Sequence, residues 1–186
     1  MTTPSVYLVG LPGSGKSTVG RQLARRLGLP FFDADQVIEQ RLGCSIRAYF
    51  EQVGEPAFRD IEVSVLDELT ATGPRVVSTG GGAVLRSENR EHLHQRGQVV
   101  YLRSSPEEVF RRLRHDRNRP LLQVDDPLAR VRDLHAVRHP LYAQIAHFTI
   151  DTGRPSVSTL VNMIVMQLEL AGMAPEPGAT GTPAGT

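Results

Sequence analysis

The residues Gly10-Leu-Pro-Gly-Ser-Gly-Lys-Ser-Thr18 close the apolar run Val6–Gly10 and open an amphipathic stretch, Ser17–Leu27. No other feature of the chain narrows its fold so far. A strand that enters a helix through such a loop needs Gly10, Gly13 and Gly15, because the backbone there takes turns closed to larger residues and aims successive N–H groups inward. Those amides, with the positive end of the following helix, make a cradle for phosphate oxygens. In loops of this pattern a lysine at the position of Lys16 reaches the β- and γ-phosphates, and a hydroxyl at Ser17 takes a Mg²⁺ coordination position. ATP or GTP binding follows, through Gly13, Ser14, Gly15, Lys16, Ser17 and Thr18, but not yet a reaction.

Lys16 stands out on a second ground. Of the 21 lysines and arginines it is the single lysine. Everywhere else the cation is a planar guanidinium; here it is a compact ammonium on a flexible stem, which a guanidinium does not mimic. The formal net charge of +1 gives no reason to expect nucleic-acid binding, although arginines cluster between Arg103 and Arg132. No apolar run approaches the roughly 18 residues of a membrane span, and nothing at the N-terminus has the form of a signal peptide. One cysteine, Cys44, cannot form an internal disulfide, in keeping with a reducing compartment. A cytoplasmic protein with no membrane or nucleic-acid partner is the expectation.

Short β-type runs alternate with amphipathic helical stretches, the pattern of a parallel sheet covered on both faces. Strands are expected at Val6–Gly10, Pro30–Asp33, Val76–Thr79, Val99–Leu102 and Phe148–Asp151. Helices are expected at Ser17–Leu27, Asp35–Leu42, Ser45–Val53, Ala57–Ala71, Ser87–Arg96, Pro106–Arg114, Pro127–Ala146 with a break near Pro140, and Ser156–Ala171. Between them His115–Asp126 holds a proline, an asparagine and three acidic residues without a helical period, and reads as a long loop. Ala174–Thr186 is too poor in large apolar groups to fold. One domain over residues 1–172 and a disordered tail from 173 to 186 are expected.

Several other groups fall at the carboxyl ends of strands, where a parallel sheet projects them into the crevice beside the phosphate loop. Asp33 and Asp35 are two residues apart at the end of the second strand. They suit either the cap of the helix that follows or a divided task, one holding the water shell of Mg²⁺ and the other orienting an acceptor hydroxyl. Gly80-Gly81-Gly82 follows the third strand, a costly run unless backbone must approach something closely. Arg59 and Glu62, one helical turn apart, form either a surface ion pair or a guanidinium held toward the crevice. Arg138 precedes Pro140. With Arg59 it would suit a carboxylate or phosphate, since guanidinium forks pair bidentately with such groups.

Asp33-Ala-Asp35, Gly43-Cys-Ser-Ile46, Gly54-Glu55, Phe58-Arg59-Asp-Ile-Glu62, Gly80-Gly81-Gly82-Ala-Val84, Arg119-Pro-Leu-Leu122 and Arg138-His-Pro-Leu-Tyr142 resemble, in order and spacing, the motifs of shikimate kinases. The resemblance runs from about Val6 to Leu170. It implies a three-layer P-loop NTPase fold of the nucleoside-monophosphate-kinase kind, with a five-stranded parallel sheet flanked by helices and a mobile lid at about 115–126. It implies ATP and Mg²⁺, and transfer of the γ-phosphate to the 3-hydroxyl of shikimate in the route to chorismate and the aromatic amino acids; separately, a monomer is expected. By motif position, Asp35 would bind substrate hydroxyls and act as base, and Asp33 would hold Mg²⁺ through water beside the direct ligand Ser17. Arg59, Arg138 and the backbone of Gly80, Gly81 and Gly82 would hold shikimate; Lys16 and lid Arg119 would neutralise the phosphates; Arg112 and Arg154 would lie near the adenine. Arg111, Arg114 and Arg117 compete with Arg112 for that place. Another small-polyol kinase, such as gluconate kinase, and a non-catalytic nucleotide-binding regulator are the alternatives.

Overall fold

The computed structural model describes residues 3–114 and 124–173. Its sheet is wholly parallel, with strands β1 (Val6–Val9), β2 (Phe31–Asp33), β3 (Val76–Ser78), β4 (Gln98–Arg103) and β5 (Phe148–Asp151) in the order β2-β3-β1-β4-β5. The five strands and the three-layer arrangement agree with the sequence reading. β1 is central because the chain after it runs first to one edge, through β2, and later to the other, through β4. The reversal puts a crevice at the carboxyl end of β1.

Alternation along the strands divides the core. Tyr7, Val9, Val77, Val99 and Tyr101 face one layer, packed against α2 (Ala34–Leu42), α4 (Glu55–Ala71), α5 (Ser87–Arg96), α6 (Pro106–Leu113) and α7 (Pro127–Ile145). Val6, Leu8, Val76, Val100, Leu102 and Ile150 face the other, against α1 (Lys16–Leu27) and α8 (Val157–Leu170). Strands buried on both sides read as continuous apolar runs, which is why they were visible in the sequence. α3 (Ile46–Val53) covers the outer rim, with Tyr49 and Phe50 packed on the first layer. No described helix is long and apolar enough to cross a membrane.

Helix starts follow local chemistry. The hydroxyls of Ser45, Ser105 and Ser156 accept from the N–H groups of Ala48, Glu108 and Thr159, capping α3, α6 and α8. α4 begins at Glu55, two residues before the expected Ala57, because Gly54 at φ 84° turns the chain directly into it and Pro56 suits its first turn.

One expectation fails outright. No break occurs at Pro140; α7 runs through it to Ile145. Proline removes one helical hydrogen bond, at about 3 kcal/mol or more, but Val131 and Leu134 before it and Tyr142 and Ile145 after it are all buried in the same core layer. Packing on both sides of the proline holds the helix axis. A 3₁₀ turn at Ala83–Leu85, with no counterpart in the sequence reading, carries the chain away from the glycine run. Met173 still packs against the second core layer. Residues 115–123, hence Arg119 and most of the expected lid, and the tail beyond Met173 lie outside the described residues.

Candidate active site

A cleft of about 590 Å³ opens at the carboxyl end of the sheet. Gly13, Gly15, Lys16, Ser17 and Thr18 line it, as do Asp33, Asp35, Arg59, Gly80, Gly81, Gly82, Arg112 and Arg138. Residues spread over more than 120 positions of sequence thus meet at one place.

The phosphate loop has the backbone that its glycines announced, with φ of 154° at Gly10, 79° at Gly13 and 92° at Gly15. Space is also tight: a Cβ on Gly10 would lie 2.7 Å from the Leu102 carbonyl oxygen. Lys16 is buried, and its ammonium donates to the carbonyls of Gly10 at 2.7 Å and Leu11 at 2.8 Å and to Ser14 Oγ at 3.4 Å. Ser14 therefore supports the lysine from inside the loop.

Asp33 caps α2 and also reaches the phosphate loop. Its Oδ1 accepts from the N–H groups of Asp35, at 3.0 Å, and Gln36, at 3.4 Å, capping α2. Its Oδ2 accepts from Ser17 Oγ at 2.6 Å, and Ser78 Oγ stands 3.4 Å from the same hydroxyl. Ser17, Ser78 and Asp33 form an all-oxygen set, the donor chemistry that a hard cation such as Mg²⁺ prefers. The residues present fit that ion.

Asp35, in the first turn of α2, lines the cleft. Burial raises its carboxyl above the ordinary value, and the neighbouring Asp33 carboxylate adds to the rise, against the pull of Lys16 and Arg59. Farther along, Arg59 and Glu62 are buried together on α4, with Arg59 Nη1 2.8 Å from Glu62 Oε1. Arg59 Nε also donates to Glu55 Oε1 at 3.3 Å, and the guanidinium carbon lies 5.1 Å from the Phe58 ring centroid. Burial raises the Glu62 carboxyl too, with Arg59 opposing. The surface-pair reading is excluded: Arg59 faces the cleft and Glu62 holds it there.

Gly80, Gly81 and Gly82 are required for a reason other than backbone freedom, since none has a positive φ. A Cβ on Gly80 would lie 2.8 Å from Asp35 Oδ1, one on Gly81 2.6 Å from the Pro12 ring, and one on Gly82 2.3 Å from Arg59 Nη2. What this backbone approaches closely is the rest of the site.

Arg112 donates to the carbonyls of Gly13 and Thr152, each at 3.2 Å, and so spans from the phosphate loop to the segment after β5. Arg111 and Arg114 do not line the cleft, whereas Arg112 does. Arg154 is exposed and stands outside the cleft lining. Arg130 was missed in the sequence. It lines the cleft with Leu134 and Arg138, each four residues from the next on α7, a helical stripe whose spacing was there to be read. Phe50 and Phe58 supply an apolar wall.

The model of the shikimate kinase family matches residues 12–169 of the chain. The chain belongs to the shikimate kinase family. It is 56% identical to the shikimate kinase of Ralstonia nicotianae over 97% of its own length and 95% of that protein's. The structure of an Acinetobacter baumannii shikimate kinase in complex with shikimate superposes with a TM-score of 0.87 at 47% identity, covering 92% of this chain and 95% of that one. A gluconokinase from Sinorhizobium meliloti superposes with a TM-score of 0.63 at 19% identity over 91% and 93%, a likeness of fold alone.

Proposed function

We propose that this shikimate kinase family member transfers the γ-phosphate of ATP to the 3-hydroxyl of shikimate, with Asp35 between the phosphate loop and an acceptor pocket built on Arg59 and Arg138. The observation that carries the reading is the placement of a buried, carboxylate-backed guanidinium across one cleft from Lys16. Shikimate is a carboxylate with three hydroxyls, and such a cleft offers each part a partner.

The Arg59 and Arg138 guanidiniums take the acceptor carboxylate and fix the ring. Asp35 accepts a hydrogen bond from the 3-hydroxyl, aims that oxygen at the γ-phosphorus and takes its proton as the new bond forms. Lys16 exchanges its loop carbonyls for phosphate oxygens, and the loop amides hold the β-phosphate. Ser17, directly, and Asp33, through water, would hold a Mg²⁺ ion, which when bound neutralises charge on the phosphate oxygens. Arg112, which lines the cleft, takes the adenine side, and Arg154 joins it there by its motif position alone. Arg119 adds charge at the transferring group by its motif position. Alignment and charge neutralisation are most of what phosphoryl transfer asks of a protein.

ADP release measured with shikimate, with gluconate and with no acceptor tests the reading. Turnover dependent on shikimate is expected. Equal turnover with gluconate, or none with either, overturns it.

A further inference from the structure

The mechanism above gives no task to a buried phenol that meets the glycine run lining the cleft. Tyr142 is fully buried, two residues after Pro140 on α7, and its hydroxyl donates to the Gly81 carbonyl. We propose that Tyr142 is a positioning residue for the acceptor: through the Gly81 carbonyl it fixes the peptide planes of Gly80–Gly82, and so the backbone against which shikimate lies. The inference rests on the shikimate reading and deepens it.

Three observations support the assignment. The glycine turn is a segment that side chains of its own cannot anchor, because each of the three positions lacks room for a Cβ. Its orientation is therefore set from outside, by contacts on its backbone. Pro12 of the phosphate loop packs on Gly81 from one side, and the Tyr142 hydroxyl binds the same residue's carbonyl.

Next, the phenol keeps the proton that it donates to the Gly81 carbonyl. Burial pushes it far above the usual tyrosine range, the Arg138 charge opposing, so the proton that Gly81 accepts stays in place throughout the working pH range. Arg138, assigned to the acceptor carboxylate, bears on that same hydroxyl.

Finally, the ring is itself held. Tyr101 lies with its centroid 5.1 Å from that of Tyr142, and its hydroxyl is 2.8 Å from His139 Nδ1, so β4 supports the ring and is itself tied to α7. The continuous course of α7 through Pro140 brings Tyr142 to this point. A break there would have carried it away.

The test begins with shikimate-dependent ADP release by the parent protein. Absence of that activity defeats the shikimate reading and not this one alone. In Tyr142→Phe, which keeps the ring and removes the donor, the KM for shikimate is expected to rise about 10-fold, the factor that ~1.4 kcal/mol represents, with the KM for ATP within about twofold. An unchanged shikimate KM, a fall in kcat alone, or a similar rise in both KM values overturns the proposal. Replacing Tyr142 by p-aminophenylalanine, which keeps a donor at the ring's far end, should return the shikimate KM to within about threefold of the parent. If Tyr142→Phe does not fold, this second protein decides: a shikimate KM within that limit supports the assignment, and a larger one defeats it.

Discussion

Arg59 and Glu62 meet at 2.8 Å, one helical turn apart and both buried, so a charge that would be costly to bury alone is held facing the cleft by its neighbour. The arrangement gives the guanidinium a fixed direction before any ligand arrives. Its Nη2 lies beside the Gly82 backbone, at the wall of the cleft.

Removing either end of such a contact should therefore weaken acceptor binding selectively. Loss of one partner of a desolvated charge pair costs about 2–5 kcal/mol, so Arg59→Ala or Arg138→Ala should weaken shikimate binding roughly 30-fold or more. Glu62→Gln keeps the shape and loses the charge, and a smaller effect of about 10-fold is expected. Calorimetric titration with shikimate and with ATP checks this. Equal loss of both affinities would mean that the site as a whole had slackened.

Asp35 carries the chemistry to be tested by pH. Asp35→Asn should bind ATP normally and turn over about 10² or more times slower, within the range for general-base catalysis. Burial and Asp33 raise the Asp35 carboxyl, so the base loses its charge at a higher pH than an ordinary aspartate. The acid limb of kcat/KM in the parent should accordingly lie above the ordinary value of 3.8, provided the profile is recorded with saturating ATP. A limb at or below that value removes Asp35 as the base.

Much of this was legible in the chain because it is written locally. The phosphate loop is a contiguous pattern between a strand and a helix, and doubly buried strands such as Val6–Val9 are plain apolar runs. The glycine run was marked as a close-approach surface, yet which atoms it approaches depends on α2, α4 and the phosphate loop meeting in space. Pro140 misled because proline chemistry is local while the burial that overrides it, from Val131 to Ile145, is tertiary. Arg112 could not be told from Arg111 and Arg114, since only the position of Gly13 and Thr152 across the cleft distinguishes them.

The same Asp35 shift has a consequence for stability. A carboxyl whose folded-state pKa is raised stabilises the fold when protonated, and that contribution is lost as pH rises from the unfolded value through the folded one. At neutral pH the buried anion is a liability. Asp35→Asn should therefore raise Tm at pH 7 by about 2–4 °C, the shift that ~1 kcal/mol brings in a domain of this size. The gain should shrink as the medium is acidified through the carboxylate range. Thermal melts of both proteins from pH 4 to pH 8 measure it, and a variant less stable than the parent at pH 7 contradicts the raised pKa.

Gly82→Ala separates the two roles that a glycine can play. Gly82 has no positive φ, so alanine meets no backbone strain, and the obstacle to its Cβ is the Arg59 guanidinium, with Nη2 at 2.3 Å. That obstacle is the tip of a flexible side chain, so the fold should survive while the guanidinium is pushed from its place beside Glu62. The variant should then behave like Arg59→Ala, with shikimate binding weakened by about 10-fold or more and ATP binding kept, since displacing a buried charge from its partner costs at least ~1.4 kcal/mol. The double variant Arg59→Ala with Gly82→Ala decides whether this is the cause. Because the alanine methyl then has no guanidinium to displace, the second substitution should add little to the first. Full additivity of the two losses would show that Gly82 acts on the acceptor independently of Arg59.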